Sequence, residues 1–194
     1  MTPTLYTEDK TFNKTDFTVQ ALPQGEYEQC RFINCDFSNS SLADIKFVNC
    51  EFTACNTSMV KLTNTALRDI IFKDCKLLGL QFQHCNQFGL SLSFENCNLT
   101  YSSFFKGKLK KTMFKNCQLN EVDFSECDVS LSSFDHCDFL RATFDNSNLE
   151  KADFRTATNF SINPETNRIK KAKFSLTGIV GLLDKYNIEI EGVN

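Results

Sequence analysis

Large hydrophobic residues recur at every fifth position along most of this chain. The series begins with Phe12, Phe17, Leu22, Tyr27 and Phe32. A small residue usually stands two positions before each large one, as in the segments 35–37 (Cys-Asp-Phe) and 152–154 (Ala-Asp-Phe). A period of five fits neither the 3.6-residue period of an α-helix nor the two-residue period of a β-strand. We therefore predict that each five-residue unit turns one large and one small residue inward and three residues outward.

Phenylalanine and cysteine add a longer period of 20 residues. The phenylalanine series is Phe12, Phe32, Phe52, Phe72, Phe94, Phe114, Phe134, Phe154 and Phe174. The cysteine series is Cys35, Cys55, Cys75, Cys97, Cys117 and Cys137. Both series share one irregularity, a step of 22 residues between Phe72 and Phe94. Four five-residue units in each 20-residue coil predict an all-β solenoid of four sides, with the phenylalanines forming a ladder in its core.

The repeat is interrupted in two places within this predicted β-helix, which we assign to residues 1–174. Two extra residues fall near 88–93, where Gly89 would tolerate an unusual backbone conformation. Thr57 and Gln87 are polar residues at positions predicted to point inward. Farther on, the segment 163–165 (Asn-Pro-Glu) stops a regular side because proline cannot donate to a β-ladder. Phe174 nevertheless returns in phase, so the last coil is predicted to be complete but irregular.

The remaining residues, 175–194, show a different pattern. Apolar residues at helical spacing predict a short C-terminal α-helix, with Thr177 as its N-cap and a short strand at 188–190. The apolar positions of this helix are Ile179, Leu182, Leu183 and Tyr186. An open solenoid has a bare coil at its end that must be covered. The helix is therefore expected to cap the last coil, to join two chains in a homodimer, or to do both.

The candidate chemistry is sparse. Ten cysteines follow the five-residue period, which indicates small buried residues, whereas zinc sites use closely spaced Cys and His ligands. No nucleophile, metal or phosphate-loop motif is present, so we expect no cofactor, no metal and no enzymatic activity. The N-terminal sequence lacks the features of a signal peptide and no apolar run reaches membrane-spanning length. These features predict a cytoplasmic protein without membrane contact.

The five-residue unit, mostly [CAST]-[DNR]-[FL]-x-x, resembles the A-[DN]-L-x-x consensus of the pentapeptide-repeat proteins. The resemblance covers roughly residues 10–175 and implies a right-handed quadrilateral β-helix. The segments 162–169 and 187–192 are similar to the end of the microcin immunity protein McbG, and the segments 32–38 and 98–104 are similar to parts of the Qnr quinolone-resistance proteins. Qnr proteins carry two long loops, and this chain has only the two-residue insertion.

This Qnr, McbG and MfpA branch implies a partner and a mechanism. Its members protect DNA gyrase and topoisomerase IV, MfpA also inhibits gyrase, and the C-terminal region builds a dimer that resembles duplex DNA in size and charge. The resemblance therefore implies a DNA mimic that binds a topoisomerase and shields it from quinolones or peptide toxins. It implies no direct contact with nucleic acid.

The charge distribution bears on this hypothesis. The net charge is −3 and the isoelectric point is about 5.5. Between residues 117 and 154, nine acids face only two bases, Arg141 and Lys151, which leaves −7. A mimic should be acidic where it meets a basic DNA channel. The acids predicted to bind the partner are Glu121, Asp123, Asp138, Asp145, Glu150 and Asp153.

Lysines one coil earlier oppose part of this acidic stretch. The 20-residue register predicts ion pairs Lys106–Glu126, Lys108–Asp128 and Lys115–Asp135. Exposed pairs of this kind contribute less than about 1 kcal/mol. The alternative hypothesis is a repeat scaffold that binds some other protein and has no topoisomerase role, because long flat faces without a pocket suit any protein–protein contact.

Overall fold

The chain forms a parallel β-solenoid in which each coil of 20 residues lies directly on the previous one. The computed structural model describes residues 5–191. The outer ends of the two predicted segments, residues 1–4 and 192–194, lie outside the described residues. The strands are β1 (Leu5–Glu8), β2 (Thr11–Asn13), β3 (Gly25–Glu28), β4 (Arg31–Ile33), β5 (Lys46–Val48), β6 (Glu51–Thr53), β7 (Ala66–Arg68), β8 (Ile70–Lys73), β9 (Leu92–Glu95), β10 (Met113–Lys115) and β11 (Ser133–Asp135).

Each coil has four sides, which we number in chain order from the tracks that begin at Phe12, Phe17, Leu22 and Tyr27. Side 1 is a seven-stranded sheet in the order β2-β4-β6-β8-β9-β10-β11, and side 4 is a four-stranded sheet in the order β1-β3-β5-β7. All of these pairs are parallel and in register, as in Phe12↔Phe32 of β2 and β4. Isolated parallel bridges continue the same register around the tube. Every outward residue therefore lies over its counterpart in the next coil.

Phenylalanine rings fill the interior. On side 1 the nine predicted ladder residues stack from Phe12 to Phe174, with neighbouring ring centroids 4.7–5.5 Å apart. Rings on adjacent sides meet edge to face, as in Phe114 and Phe124, whose ring planes cross at 85°. Both arrangements suit the quadrupole of an aromatic ring. The alternation of large and small inward residues thus produces a packed core.

The small inward positions are filled largely by cysteine. All ten cysteines are free and buried. Among the described residues, the thiols of all but Cys85 donate to main-chain carbonyls, as from Cys55 Sγ to the Phe32 oxygen at 3.2 Å. Burial raises the pKa of the Cys50 and Cys85 thiols to about 12. The cysteines therefore act as small core residues, and nine of the ten thiols are hydrogen-bonded.

The corners depend on two local devices. The second residue after most of the large inward residues adopts a positive φ, as at Asn34 (53°) and Asn116 (52°), a conformation that Asn and Asp tolerate better than most residues. The residue before the large one often accepts a hydrogen bond from the N–H two positions later. Asp36 Oδ1 does so from the Ser38 N–H at 2.8 Å, and Asn56 Oδ1 from the Ser58 N–H at 3.2 Å. Asp and Asn are thus interchangeable turn formers at this position.

The two extra residues are confined to the corner between sides 4 and 1. Strands β8 and β9 stay in register, with Ile70 opposite Leu92. Gly89 has a φ of 71°, which a residue with a side chain rarely adopts. The neighbouring Phe88 is 76% exposed, and its ring lies 5.2 Å from the guanidinium of Arg68. The insertion therefore displays an aromatic ring outside the tube without disturbing the coils around it.

The C-terminal segment differs from the predicted helix and strand. It contains two 3-10 helices, Gly178–Leu182 and Asp184–Tyr186, and residues 187–190 form no strand. Thr177 is itself in a helical conformation and makes no capping bond, whereas Ser175 Oγ accepts the Gly178 N–H at 2.9 Å. The Gly181 carbonyl accepts the Ile162 N–H at 2.8 Å. Because the last coil uses that carbonyl, the segment lies tightly over the coil as a cap.

Candidate protein-binding surfaces

The six predicted acids do not form one surface. Glu121, Asp123, Asp138 and Asp145 lie on sides 2 and 3 and on the corner between them. We call these four residues the acidic side. Glu150 belongs to side 4 and Asp153 to side 1, around the tube from the others. The linear stretch of acids therefore wraps around the solenoid, and a single partner surface cannot meet all six.

Three of the predicted acids also shape the turns. Asp123 Oδ1 accepts the Ser125 N–H at 2.8 Å, and Asp138 Oδ1 accepts the Leu140 N–H at 3.1 Å. Asp153 Oδ1 accepts the Arg155 N–H at 3.2 Å. All three side chains are half-buried. Their carboxylates point outward in part only, so replacing them with lysine would remove a turn contact as well as a charge.

Basic neighbours compensate three of the six acids. Glu121 lies 3.6 Å from Arg141, and Glu150 lies 2.8 Å from Arg168. Asp153 contacts Arg155 at 2.7 Å and Lys173 at 3.6 Å. The hydrogen bond from Arg155 is the main reason that the pKa of Asp153 lies below its ordinary value. Among the described residues, Asp123, Asp138 and Asp145 have no such ion pair, so these three carry the uncompensated charge of the acidic side.

The predicted ion pairs between coils are only partly present. Lys106 lies 3.4 Å from Glu126, as expected. Lys115 instead pairs with Glu95 of the preceding coil at 2.7 Å. Asp135 accepts a hydrogen bond from Thr156 at 2.9 Å, the main cause of its lowered pKa. Lys108 lies in register with Asp128, whose Oδ1 accepts bonds from the Ser130 N–H and Asn148 Nδ2 at 2.9 and 3.0 Å.

A basic surface on side 4 is not visible when charges are counted along the linear sequence. From residue 107 onward, this side and its corner with side 1 carry seven bases against two acids, Asp128 and Glu150, which leaves +5. All seven bases are exposed, and both acids are half-buried. We call these bases the basic side; they are Lys108, Lys110, Lys111, Lys151, Arg168, Lys170 and Lys171. Sorting the charges by their position in the 20-residue repeat would have found it.

The C-terminal cap divides the four predicted dimer residues. Leu182 packs against the core, and Leu183 is half-buried. Ile179 and Tyr186 remain 41% and 50% exposed, and Tyr186 Oη donates to Glu165 Oε1 at 2.9 Å. Leu176, which the helical pattern missed, is 83% exposed. The end of the tube therefore combines a seated cap with apolar side chains that are open to a partner.

An open groove of about 590 Å³ runs along the corner between sides 4 and 1. Its rim consists of polar residues from successive coils, including Asp9, Arg31, Glu51 and Asp69.

Within residues 5–191, no group of His, Cys, Asp and Glu residues is arranged to hold a metal ion. No helix in the described part of the chain is long and apolar enough to cross a membrane.

Comparison with known proteins agrees with this geometry. The profile of the family described as pentapeptide repeat region matches residues 26–92 and 90–163. The chain is a pentapeptide-repeat protein. Its fold is the right-handed quadrilateral β-helix that the repeat predicted. No protein with a curated description matches the sequence.

The chain is also similar to solved structures of other proteins. The chain is similar to full-length QnrB1, a plasmid-mediated fluoroquinolone resistance protein, with 17% identity and a TM-score of 0.63, over 94% of this chain and 100% of that one. It is also similar to HetL of Nostoc, a pentapeptide-repeat protein involved in heterocyst differentiation regulation, with 13% identity and a TM-score of 0.38, over 87% and 86% of the chains. At 17% identity, the likeness to QnrB1 shows the fold.

Proposed function

We propose that this pentapeptide-repeat protein is a non-catalytic, Qnr-like protein that binds DNA gyrase or topoisomerase IV. It would occupy the DNA-binding surface of the enzyme and protect it from quinolones or peptide toxins. The observation that carries the proposal is the likeness to full-length QnrB1, which spans 94% of this chain and the whole of that one. The acidic side supports it, since a basic DNA channel attracts negative charge.

The proposed contact surface consists of acids that lie close together on the tube and are mostly free of basic partners. Asp123, Asp138 and Asp145 lie on sides 2 and 3 and have no ion-pair partner among the described residues. Glu150 and Asp153 lie on other sides and are compensated by Arg168, Arg155 and Lys173. We therefore assign the contact to the acidic side and leave Glu150 and Asp153 out of it.

The protein would act as a homodimer joined at its C-terminal ends. Ile179 and Tyr186 are exposed beside Leu176, while Leu182 holds the cap on the last coil. Two such ends in contact would cover apolar side chains that are otherwise open to water, which favours association. The two acidic sides would then flank the centre of the rod.

The test is gyrase supercoiling and quinolone-induced DNA cleavage with added protein. The variant Asp123→Asn/Asp138→Asn/Asp145→Asn removes three charges, and asparagine keeps the turn contact, as Asn56 and Asn98 already do. The matched control is Asp16→Asn/Asp36→Asn/Asp44→Asn, in which Asp16 and Asp36 form the same turns near the other end of the tube. We expect the native protein and the control to alter both assays, with an effect that weakens as salt rises, and we expect the first variant to lose most of that effect already at low salt. No change in either assay with micromolar native protein would refute the proposal.

A second candidate function is a scaffold for a partner other than a topoisomerase. The basic side favours it, since a charge of +5 on side 4 has no complement in a basic DNA channel. Capture from a lysate with immobilised native protein separates the two candidates. Retention of a gyrase or topoisomerase IV subunit supports the first, and retention of an acidic protein that the Lys110→Glu/Lys111→Glu/Lys170→Glu variant fails to hold supports the second.

A further inference from the structure

The basic side is built from side chains that the fold leaves free to bind. Within residues 5–191, none of its six lysines takes part in an ion pair, and Arg168 is the one base that does, with Glu150 at 2.8 Å. Its second acid, Asp128, uses Oδ1 to accept hydrogen bonds from the Ser130 N–H and from Asn148 Nδ2. The positive charge is therefore accessible, and its own side of the tube compensates little of it.

The solenoid arranges this charge in a line. Lys111, Lys151 and Lys171 occupy the same corner position in three of four successive coils, with Leu131 in the coil between Lys111 and Lys151, and each lysine has a φ of 60–65°. With coils about 4.8 Å apart, this column spans about 14 Å. Lys110 and Lys170 lie beside it on side 4, in the same outward column as Arg68 and the exposed Phe88. A straight row of cations along a rigid rod complements a straight row of anions.

We propose that the basic side binds the phosphate backbone of duplex DNA. Duplex DNA carries about one negative charge per 1.7 Å of its axis with both strands counted, so a 14 Å length of duplex has about eight phosphates, about four of them on each strand. Contact by lysines on a flat face positions a protein on DNA without reading its sequence. The binding should therefore be independent of sequence, micromolar or weaker, and strongly dependent on salt. It runs against the expectation from the family resemblance, which implied no direct contact with nucleic acid, and it does not depend on the topoisomerase proposal.

A second copy of the chain is the competing occupant. Its acidic side could cover the basic side of a neighbour. Such a contact joins two different faces, so each added copy leaves another pair of faces open and a growing series forms instead of a closed dimer. DNA satisfies the basic side without this consequence, which is why the geometry favours it.

The experiment measures fluorescence anisotropy of a labelled 20-base-pair duplex with full-length protein at several salt concentrations. The test variant is Lys110→Glu/Lys111→Glu/Lys170→Glu. The matched control is Lys14→Glu/Lys61→Glu/Lys76→Glu, which changes the net charge equally through exposed lysines on other parts of the tube that form no ion pair among the described residues. Circular dichroism verifies that all three proteins keep the fold, and sedimentation without DNA reports self-association.

We expect the native protein and the control to bind, with affinity falling steeply as salt rises. The test variant should bind at least tenfold more weakly at low salt, and the slope of log affinity against log salt should fall by about 0.9 for each phosphate that the variant no longer neutralises. Absence of salt-dependent binding by the native protein would overturn the proposal. An equal loss of affinity in both triple variants, or self-association that the test variant alone abolishes in the absence of DNA binding, would overturn it as well.

Discussion

The stacked phenylalanine ladder makes a quantitative prediction at Phe114. This side chain is fully buried, and its ring stacks on Phe94 at 4.9 Å and on Phe134 at 5.1 Å. It also meets Phe104 and Phe124 edge to face at 6.0 and 6.1 Å. Replacing it with alanine removes the ring from four ring pairs and leaves a cavity that in-register neighbours on both sides prevent from collapsing.

The expected cost follows from these ring pairs. Truncating a buried phenylalanine costs about 3–5 kcal/mol. Each ring pair contributes about 0.5–1.5 kcal/mol beyond the burial of area. Phe114 has more ring neighbours than an ordinary core phenylalanine, so we expect Phe114→Ala to lower the free energy of unfolding by about 5 kcal/mol, the top of that range. Phe174 is half-buried and has one stacked neighbour, Phe154, so Phe174→Ala should cost about 2 kcal/mol.

Urea unfolding of the two variants and the native protein is the measurement. Far-UV circular dichroism and tyrosine fluorescence should be followed together, because a solenoid can lose coils separately and a two-state free energy requires that the two transitions coincide. The midpoint for Phe114→Ala should shift far more than that for Phe174→Ala, with similar m-values. Equal shifts for the two variants, or a cost below about 2 kcal/mol at Phe114, would refute the assignment of stability to the continuous ladder.

Three further predictions concern pH, thiols and the C-terminal end. Hydrogen bonds from Lys115, Thr156 and Arg155 are the main causes of the lowered carboxyl pKa values of Glu95, Asp135 and Asp153, whose ordinary values are 4.5 for Glu and 3.8 for Asp. The ionised carboxylates therefore stabilise the folded protein fully above these values, and this stabilisation is lost as pH falls through the folded-state pKa values. The urea midpoint should fall on acidification below about pH 4.5, and a midpoint that stays constant to pH 3 would contradict this. All ten cysteines are buried, so a thiol reagent should label native protein only as fast as it unfolds and should label ten thiols in denaturant, whereas rapid labelling of folded protein would contradict the packing. Ile179 is exposed, so light scattering should show that Ile179→Asp yields a stable monomer. Leu182 packs on the core, so Leu182→Asp should also lower the urea midpoint. An unchanged molecular mass for Ile179→Asp would exclude that residue from the dimer contact.

The sequence by itself determined the architecture because every coil repeats the same local problem. A solenoid places each residue on the residue 20 positions away, so a periodic sequence states directly which side chains stack. The stacking of Phe32 over Phe12 and of Phe52 over Phe32 could be predicted from spacing alone. The 22-residue step was equally clear, and its effect stayed local because strands β8 and β9 remained in register.

A count of charges along the linear sequence does not show how they are arranged around the tube. The acids between residues 117 and 154 are close in sequence, but the coil distributes consecutive five-residue units over four sides. Glu150 and Asp153 are three residues apart, yet they lie on sides 4 and 1. Position in the repeat, which the sequence contains, would have separated the acidic side from the basic side.

Where one side chain could reach more than one hydrogen-bond or ion-pair partner, only the tertiary structure shows which contact forms. Asp123 and Asp138 bind main-chain N–H groups, and Lys115 pairs with Glu95 instead of Asp135, because rotamers and local geometry select among acceptors that a register places at similar distances. The C-terminal segment was decided in the same way. Its apolar spacing suits an α-helix. In the structure the Gly181 carbonyl accepts a hydrogen bond from the Ile162 N–H of the last coil, and the segment forms 3-10 helices that cover the open end of the tube.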